Sequence, residues 1–180
     1  MTFRGTAMLA LALMALCAVY GGMQYRKAQH KQAVMEAKRL FAFDGNAVRS
    51  LEIQRINEPA NAAQRNADGQ WGITKPDAAI IPLQLMWNRV SEKLALLNNE
   101  RMIAEQAVDL VQYGLDAPAL RVTAALEKDG PVNLIFGALD PTETYRYAQL
   151  NGGPVFLVTK DAFFELDRSL TDLRDRFLVN

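Results

Sequence analysis

Residues 5–25, GTAMLALALMALCAVYGGMQY, run for 21 positions without a charged side chain. A helix needs roughly 20 apolar residues to cross the hydrocarbon core of a bilayer. The most apolar part, residues 7–23, is a short span by that measure. Apolarity on every side at the extreme N-terminus argues against a helix buried in a soluble domain. Two membrane readings compete. A cleaved signal peptide fits the length and uses Arg4 as its basic start. Small residues ahead of a polar mature start are not clear, however, and Leu16 before Cys17 suits lipoprotein processing poorly. The preferred reading is an uncleaved anchor over residues 1–25.

Beyond the anchor the chain is first basic, then mildly acidic. Residues 1–39 hold six of the chain's 20 basic residues and one of its 20 acids, which leaves 14 basic and 19 acidic residues beyond them. Residues 26–40 contain neither Gly nor Pro and read as a basic juxtamembrane helix or stalk, with lipid headgroups as a further contact. The acidic remainder argues against nucleic acid, whose binding rests on clustered Lys and Arg. The single cysteine, Cys17, excludes an internal disulfide. The positive-inside bias alone would keep the body in the cytoplasm. A short tail ahead of a first hydrophobic segment behaves instead as a signal-anchor, which favours a body outside.

Residues 41–180 have the size of one domain. VRSLEIQRI alternates, with Leu51 and Ile53 on one side and Ser50, Glu52 and Gln54 on the other, as a half-buried strand does. NAAQRNADGQWGITKP predicts a hairpin closed by a primed turn at Asp68-Gly69, with Trp71 and Ile73 on its apolar face. Leu83, Met86, Trp87, Val90, Leu94 and Leu97 recur at helical spacing. Pro82 would be the first helical residue, and Gln84, Asn88, Ser91, Glu92 and Asn99 would form the solvent face. A short helix is expected over residues 105–113. It is stopped by Gly114 in the left-handed region, with Leu115 reaching back to Leu110, and Pro118 then bars helix from resuming. LRVTAAL, VNLIF, TYRYAQL and PVFLVT alternate between short turns and predict a four-strand antiparallel meander. Phe163, Leu166 and Leu170 close the chain as helix, with Thr159 as N-cap. The expected fold class is α+β: an antiparallel sheet, hairpin plus four-strand meander, with helices packed on one side.

No catalytic constellation emerges. His30, the one histidine, lies in the basic arm. Neither a triad nor a zinc cluster can therefore be assembled in the body. GALDPTET lacks the Lys and the following helix of a phosphate loop. Asp140 and Glu143 supply too few alternating oxygen ligands for calcium and read as an acidic turn. Asp172 and Asp175 beside Arg174 and Arg176 read as surface ion pairs. No cofactor or metal is expected. Trp71, Tyr145 and Tyr147 remain as candidates for a ligand or partner surface, because aromatic side chains are enriched where proteins bind. Packing within the sheet is the competing explanation for them.

FAFD with VRSLEIQR, DGQWGITKP, a long helix ending near ERMI, YGLDAP, LIFGALDPTETYRYAQL, VFLVT and DLRDR succeed one another along the chain. This ordered set resembles the bacterial envelope family catalogued as domain of unknown function 4340. The resemblance implies an α+β periplasmic body behind an inner-membrane anchor, of a kind grouped with gliding-motility-type ABC transporter auxiliary components. It carries over no catalytic residue. In longer relatives DLRDR leads into a second unit, so a single module is expected here. The expected function is a non-enzymatic, membrane-anchored periplasmic accessory subunit of an ABC-type transport or cell-envelope complex, acting through protein contacts. The alternative is a periplasmic small-molecule or glycan binding module, with Trp71, Tyr145 and Tyr147 lining a groove between the meander and the helix over residues 83–97.

Overall fold

The structure, a computed structural model, describes residues 37–107 and 109–175 together with Leu13, Tyr20 and Met23. The chain divides into two units, Met1–Lys38 and Arg39–Asn180. In the first, Leu13, Tyr20 and Met23 are helical and 58–66% exposed. The rest of the expected anchor lies outside the described residues. Among the described residues no helix is long and apolar enough to cross a membrane.

The second unit is built on one eight-stranded antiparallel sheet. In chain order its strands are β1 (Val48–Arg55), β2 (Asn61–Arg65), β3 (Trp71–Lys75), β4 (Arg101–Ala104), β5 (Leu120–Leu126), β6 (Val132–Leu139), β7 (Tyr145–Leu150) and β8 (Val155–Thr159). In space the order is β3-β2-β1-β5-β6-β7-β8-β4. The hairpin and the meander are thus two halves of a single sheet, sewn together where β1 pairs with β5 over Val48↔Leu126 to Arg55↔Leu120. The alternation read from the sequence sets the faces. Leu51, Ile53, Val122, Leu134 and Phe136 point into the core, and Ser50, Glu52 and Gln54 point away from it.

The α-helices of the described body lie on the core side. α1 (Gln84–Ala95) occupies the connection from β3 at one edge to β4 at the other, and it buries Trp87, Val90 and Leu94 against the sheet. α2 (Lys160–Leu166) adds Phe163 and Leu166, and α3 (Leu170–Leu173) adds Leu173. Thr159 caps α2 as expected, its hydroxyl accepting from the Ala162 N–H at 3.2 Å. Gly45 sits where α1 passes closest to the chain, since a Cβ there would lie 2.8 Å from the Glu92 backbone nitrogen.

Several local expectations are corrected. Helix α1 begins after an N-cap at Leu83, leaving Pro82 outside it in an isolated bridge with Arg174. The long helix does not reach ERMI: Arg101–Ala104 is β4, paired with β8. Ser91 is buried, not on a solvent face, and its hydroxyl donates to the Trp87 carbonyl one turn back at 3.0 Å. The hairpin turn is not a two-residue primed turn. Gly69 alone has positive φ (78°), and its N–H closes on the Asn66 carbonyl at 3.0 Å. A primed turn occurs instead between β7 and β8, where Asn151 (φ 51°) and Gly152 (φ 71°) both take the left-handed region that such a turn needs.

The largest correction concerns residues 105–113. Among the described residues of this stretch only Val111–Tyr113 is helical, as a single 3-10 turn. The stop itself is as expected. Gly114 is left-handed (φ 64°), the Leu115 N–H reaches the Leu110 carbonyl at 3.1 Å, and the Gly114 N–H reaches the Val111 carbonyl at 2.9 Å. The physical reason for the missing helix is space. Residues 105–118 run from the edge strand β4 back to β5 across the outer face of the sheet, and they approach it backbone to backbone. A Cβ on Gly137 of β6 would stand 2.1 Å from the Tyr113 carbonyl oxygen. A full helix, about 10 Å across with its side chains, cannot lie so close. Leu115 of this strap is buried, and β8 is buried on both faces.

Candidate functional site

Trp71, Tyr145 and Tyr147 do not share a groove. Trp71 is on the core face, 3% exposed, with its ring 5.7 Å from that of Trp87. Tyr145 and Tyr147 pair with Thr159 and Leu157 on the outer face, and Tyr147 packs on Tyr113 of the strap with ring centroids 5.0 Å apart. The sheet itself separates the two groups.

The polar residues around Trp71 hold it in place. The Gln84 side chain accepts from the Trp71 N–H through Oε1 and donates from Nε2 to the Trp71 carbonyl, both at 2.8 Å. An amide side chain thereby takes the part of a neighbouring strand at the edge of β3. One turn along α1, Asn88 Oδ1 accepts from the Trp71 indole N–H at 2.9 Å and from Arg65 at 3.0 Å. The Arg65 guanidinium lies 4.6 Å from the centre of the Trp71 ring, a cation–π geometry. Gln84 and Asn88 are therefore not the solvent face that helical periodicity predicts. They are the bonds between α1 and the hairpin, and their i, i+4 spacing is the one sequence signal of a shared duty.

The acidic candidates are likewise committed to structure. Asp140 orders the β6–β7 turn: its carboxylate accepts from the Thr142 hydroxyl at 2.6 Å and from the Tyr145 and Thr144 N–H groups at 2.9 and 3.1 Å. The Thr142 bond leads in holding its carboxyl below the usual range. Asp172 closes a capping box with Ser169 at the start of α3. Arg176 lies outside the described residues.

Ion pairs that the sequence does not suggest tie the helices to each other and to the sheet. Glu165 of α2 receives two hydrogen bonds from Arg89 of α1, at 2.8 and 3.0 Å, and one from Arg168 at 3.0 Å. The Arg89 bonds hold its carboxyl low, with burial working against them. Asp167 pairs with Arg55 at the end of β1, at 2.7 Å. Arg146 of β7 lies 4.0 Å from the centre of the Phe163 ring and donates to the Gly137 carbonyl where β6 bulges. Burial lowers its pKa from the usual value.

Clefts open at the surface of the described residues, two of them beside elements already named. One, of about 310 Å³, opens on the outer face between Gln54, Ile56, Asn57, Pro118 and Arg121. The other, of about 360 Å³, lies beside the start of α1 and α3, between Leu83, Met86, Arg168 and Thr171. Among the described residues no group of three His, Cys, Asp or Glu side chains is placed to hold a metal.

An antiparallel sheet with helices on one face and a backbone strap on part of the other defines an α+β domain. Its family emerges from comparison with known proteins. The chain belongs to the family described as Domain of unknown function (DUF4340), whose model matches residues 71–180, from the first residue of β3 onward. FAFD and VRSLEIQR lie before the matched span. No curated protein and no solved structure matches the chain.

Proposed function

We propose that this protein is a non-enzymatic accessory subunit, anchored in the bacterial inner membrane with its body in the periplasm. It serves an ABC-type transport or cell-envelope complex through protein contacts. The observation that carries this reading is the uncharged run over residues 5–25 ahead of a separate α+β unit. Leu13, Tyr20 and Met23 are each helical with exposed large apolar side chains, which suits contact with lipid. The transport link rests on what the family resemblance implies. The body supports a contact role because its polar clusters are engaged in internal bonds and its clefts are shallow. A binding module would use a cleft such as that at Ile56, Pro118 and Arg121 or that at Leu83, Met86 and Arg168, since the three aromatic candidates share no groove.

Crosslinking in native membranes before purification tests the proposal. The expected product is an adduct with a permease or another envelope protein. Recovery of the chain only with itself, under conditions where a control membrane complex is captured, would contradict it.

A further inference from the structure

We propose that the outer-face cleft where β1 ends and β5 begins binds a small organic monocarboxylate that carries an apolar group, with Arg121 as its anchor. This site belongs to the body alone and is independent of the membrane anchor and of any protein partner. The cleft, of about 310 Å³, is lined by Gln54, Ile56, Asn57, Ala117, Pro118 and Arg121, with Arg55 beside them. Its walls are continuous with the sheet. The Ile56 N–H donates to the Ala119 carbonyl at 3.0 Å, and the Ala119 N–H donates to the Phe136 carbonyl at 2.8 Å. Gln54 and Arg121 are cross-strand partners in the same register. The cleft is therefore formed before a ligand arrives.

Charge selects the occupant. The two cations of the lining are used differently. Arg55 is committed to Asp167 at 2.7 Å and to Glu58 at 3.0 Å. Arg121 is half-buried and forms no ion pair among the described residues. Its Nη1 lies 3.5 Å from Asn133 Oδ1, the long limit of a hydrogen bond. Its guanidinium thus has donors to spare, in a planar fork that matches a carboxylate. The Gln54 amide can donate to the same group. One uncommitted cation balances one negative charge, which favours a carboxylate over a phosphate dianion. The remaining wall is aliphatic: Ile56 is 52% exposed, with Ala117 and Pro118 beside it. It suits a compact apolar substituent next to the carboxylate.

The test titrates N-acetyl-leucine onto the full chain in detergent, followed by the backbone amide shifts of Gln54, Ile56 and Arg121. These shifts should saturate in the millimolar range. N-acetyl-leucinamide, which lacks the charge, should bind about tenfold more weakly. N-acetylglycine, which lacks the apolar group, should also bind several-fold more weakly. Arg121→Gln should cost about tenfold, whereas Arg49→Gln, whose side chain is paired with Glu127 at the other end of β1, should cost nothing. Shifts that stay linear with concentration, or that centre on Leu83 and Met86, overturn the proposal. So do equal binding of the acid and its amide, equal losses from Arg121→Gln and Arg49→Gln, or inorganic phosphate binding at these amides more tightly than N-acetyl-leucine.

Discussion

The two faces of the sheet are both covered over β6 to β8, but by layers built on different physics. On the core face the cover is side chains. Trp87, Val90, Leu94, Phe163 and Leu166 form one buried cluster with Leu134, Phe136 and Phe156. On the outer face the cover is backbone, with Gly114 lying against Ala138 and Gly137 against Tyr113. The first layer draws its stability from apolar area, the second from the absence of two Cβ atoms. A helix layer therefore tolerates small changes of shape, whereas the strap fails at a single added methyl group.

The core-face layer is challenged most forcefully at Trp87. It is fully buried, and its indole N–H donates to the Leu173 carbonyl at 3.1 Å. Trp87→Ala should cost about 4 kcal/mol in denaturant unfolding, or prevent folding. A loss no larger than that of a surface substitution would remove α1 from the core. The outer layer is probed by Gly137→Ala, which should cost about 2–3 kcal/mol. Its signature is local. Hydrogen exchange at Leu115 and cleavage by protease within residues 105–112 should accelerate while α1 amides stay protected. If α1 amides lose protection to the same extent, the two layers are one cooperative unit and the contrast is wrong.

Gln84→Ala is expected to be milder, about 1–2 kcal/mol, because it leaves the Trp71 edge groups without their amide partner. It should also expose the β3 edge, so aggregation should rise with it. Gly69→Ala serves as calibration. A Cβ there meets nothing within 4 Å, so only the positive φ is strained, and the expected cost is about 1 kcal/mol. Against that baseline, Gly114→Ala combines the same strain with a Cβ 2.9 Å from the Ala138 nitrogen and should lose clearly more.

The smallest effect is electrostatic. The folded pKa of Glu165 is lowered, first by its hydrogen bonds with Arg89. Its contribution is therefore present above the unfolded value and lost as pH falls through the folded one. For a partly exposed pair it should be about 1 kcal/mol or less. Glu165→Gln should be less stable than wild type at pH 7, and the gap should begin to narrow below about pH 4. A gap that does not narrow as pH falls would mean that packing, not charge, is what the substitution disturbs.

Much of this architecture is legible in the sequence because it is local. Alternation locates β1 and β5 to β8, the Leu-Met-Trp-Val-Leu stripe locates α1, and Thr159 and Gly114 mark the α2 cap and the strap's stop. The illegible parts depend on partners distant in sequence. Arg101–Ala104 is too short to show a period and becomes a strand only because β8 offers an edge. Gln84 and Asn88 look like solvent residues until Trp71 is placed beside them. Trp71 and Tyr147 look alike in sequence, yet strand parity and sheet order put them on opposite faces. The strap reads as helix because nothing in residues 105–113 announces that Gly137 waits underneath.

For the membrane-anchored protein proposed above, the side of the membrane that the sheet occupies would decide what it can touch. A C-terminal fusion to a reporter active only outside the cytoplasm, compared with one active only inside, tests that directly. The periplasmic reporter should be active and its cytoplasmic counterpart silent on a fusion of equal abundance. The reverse pattern would place the body in the cytoplasm and remove the basis for an envelope partner.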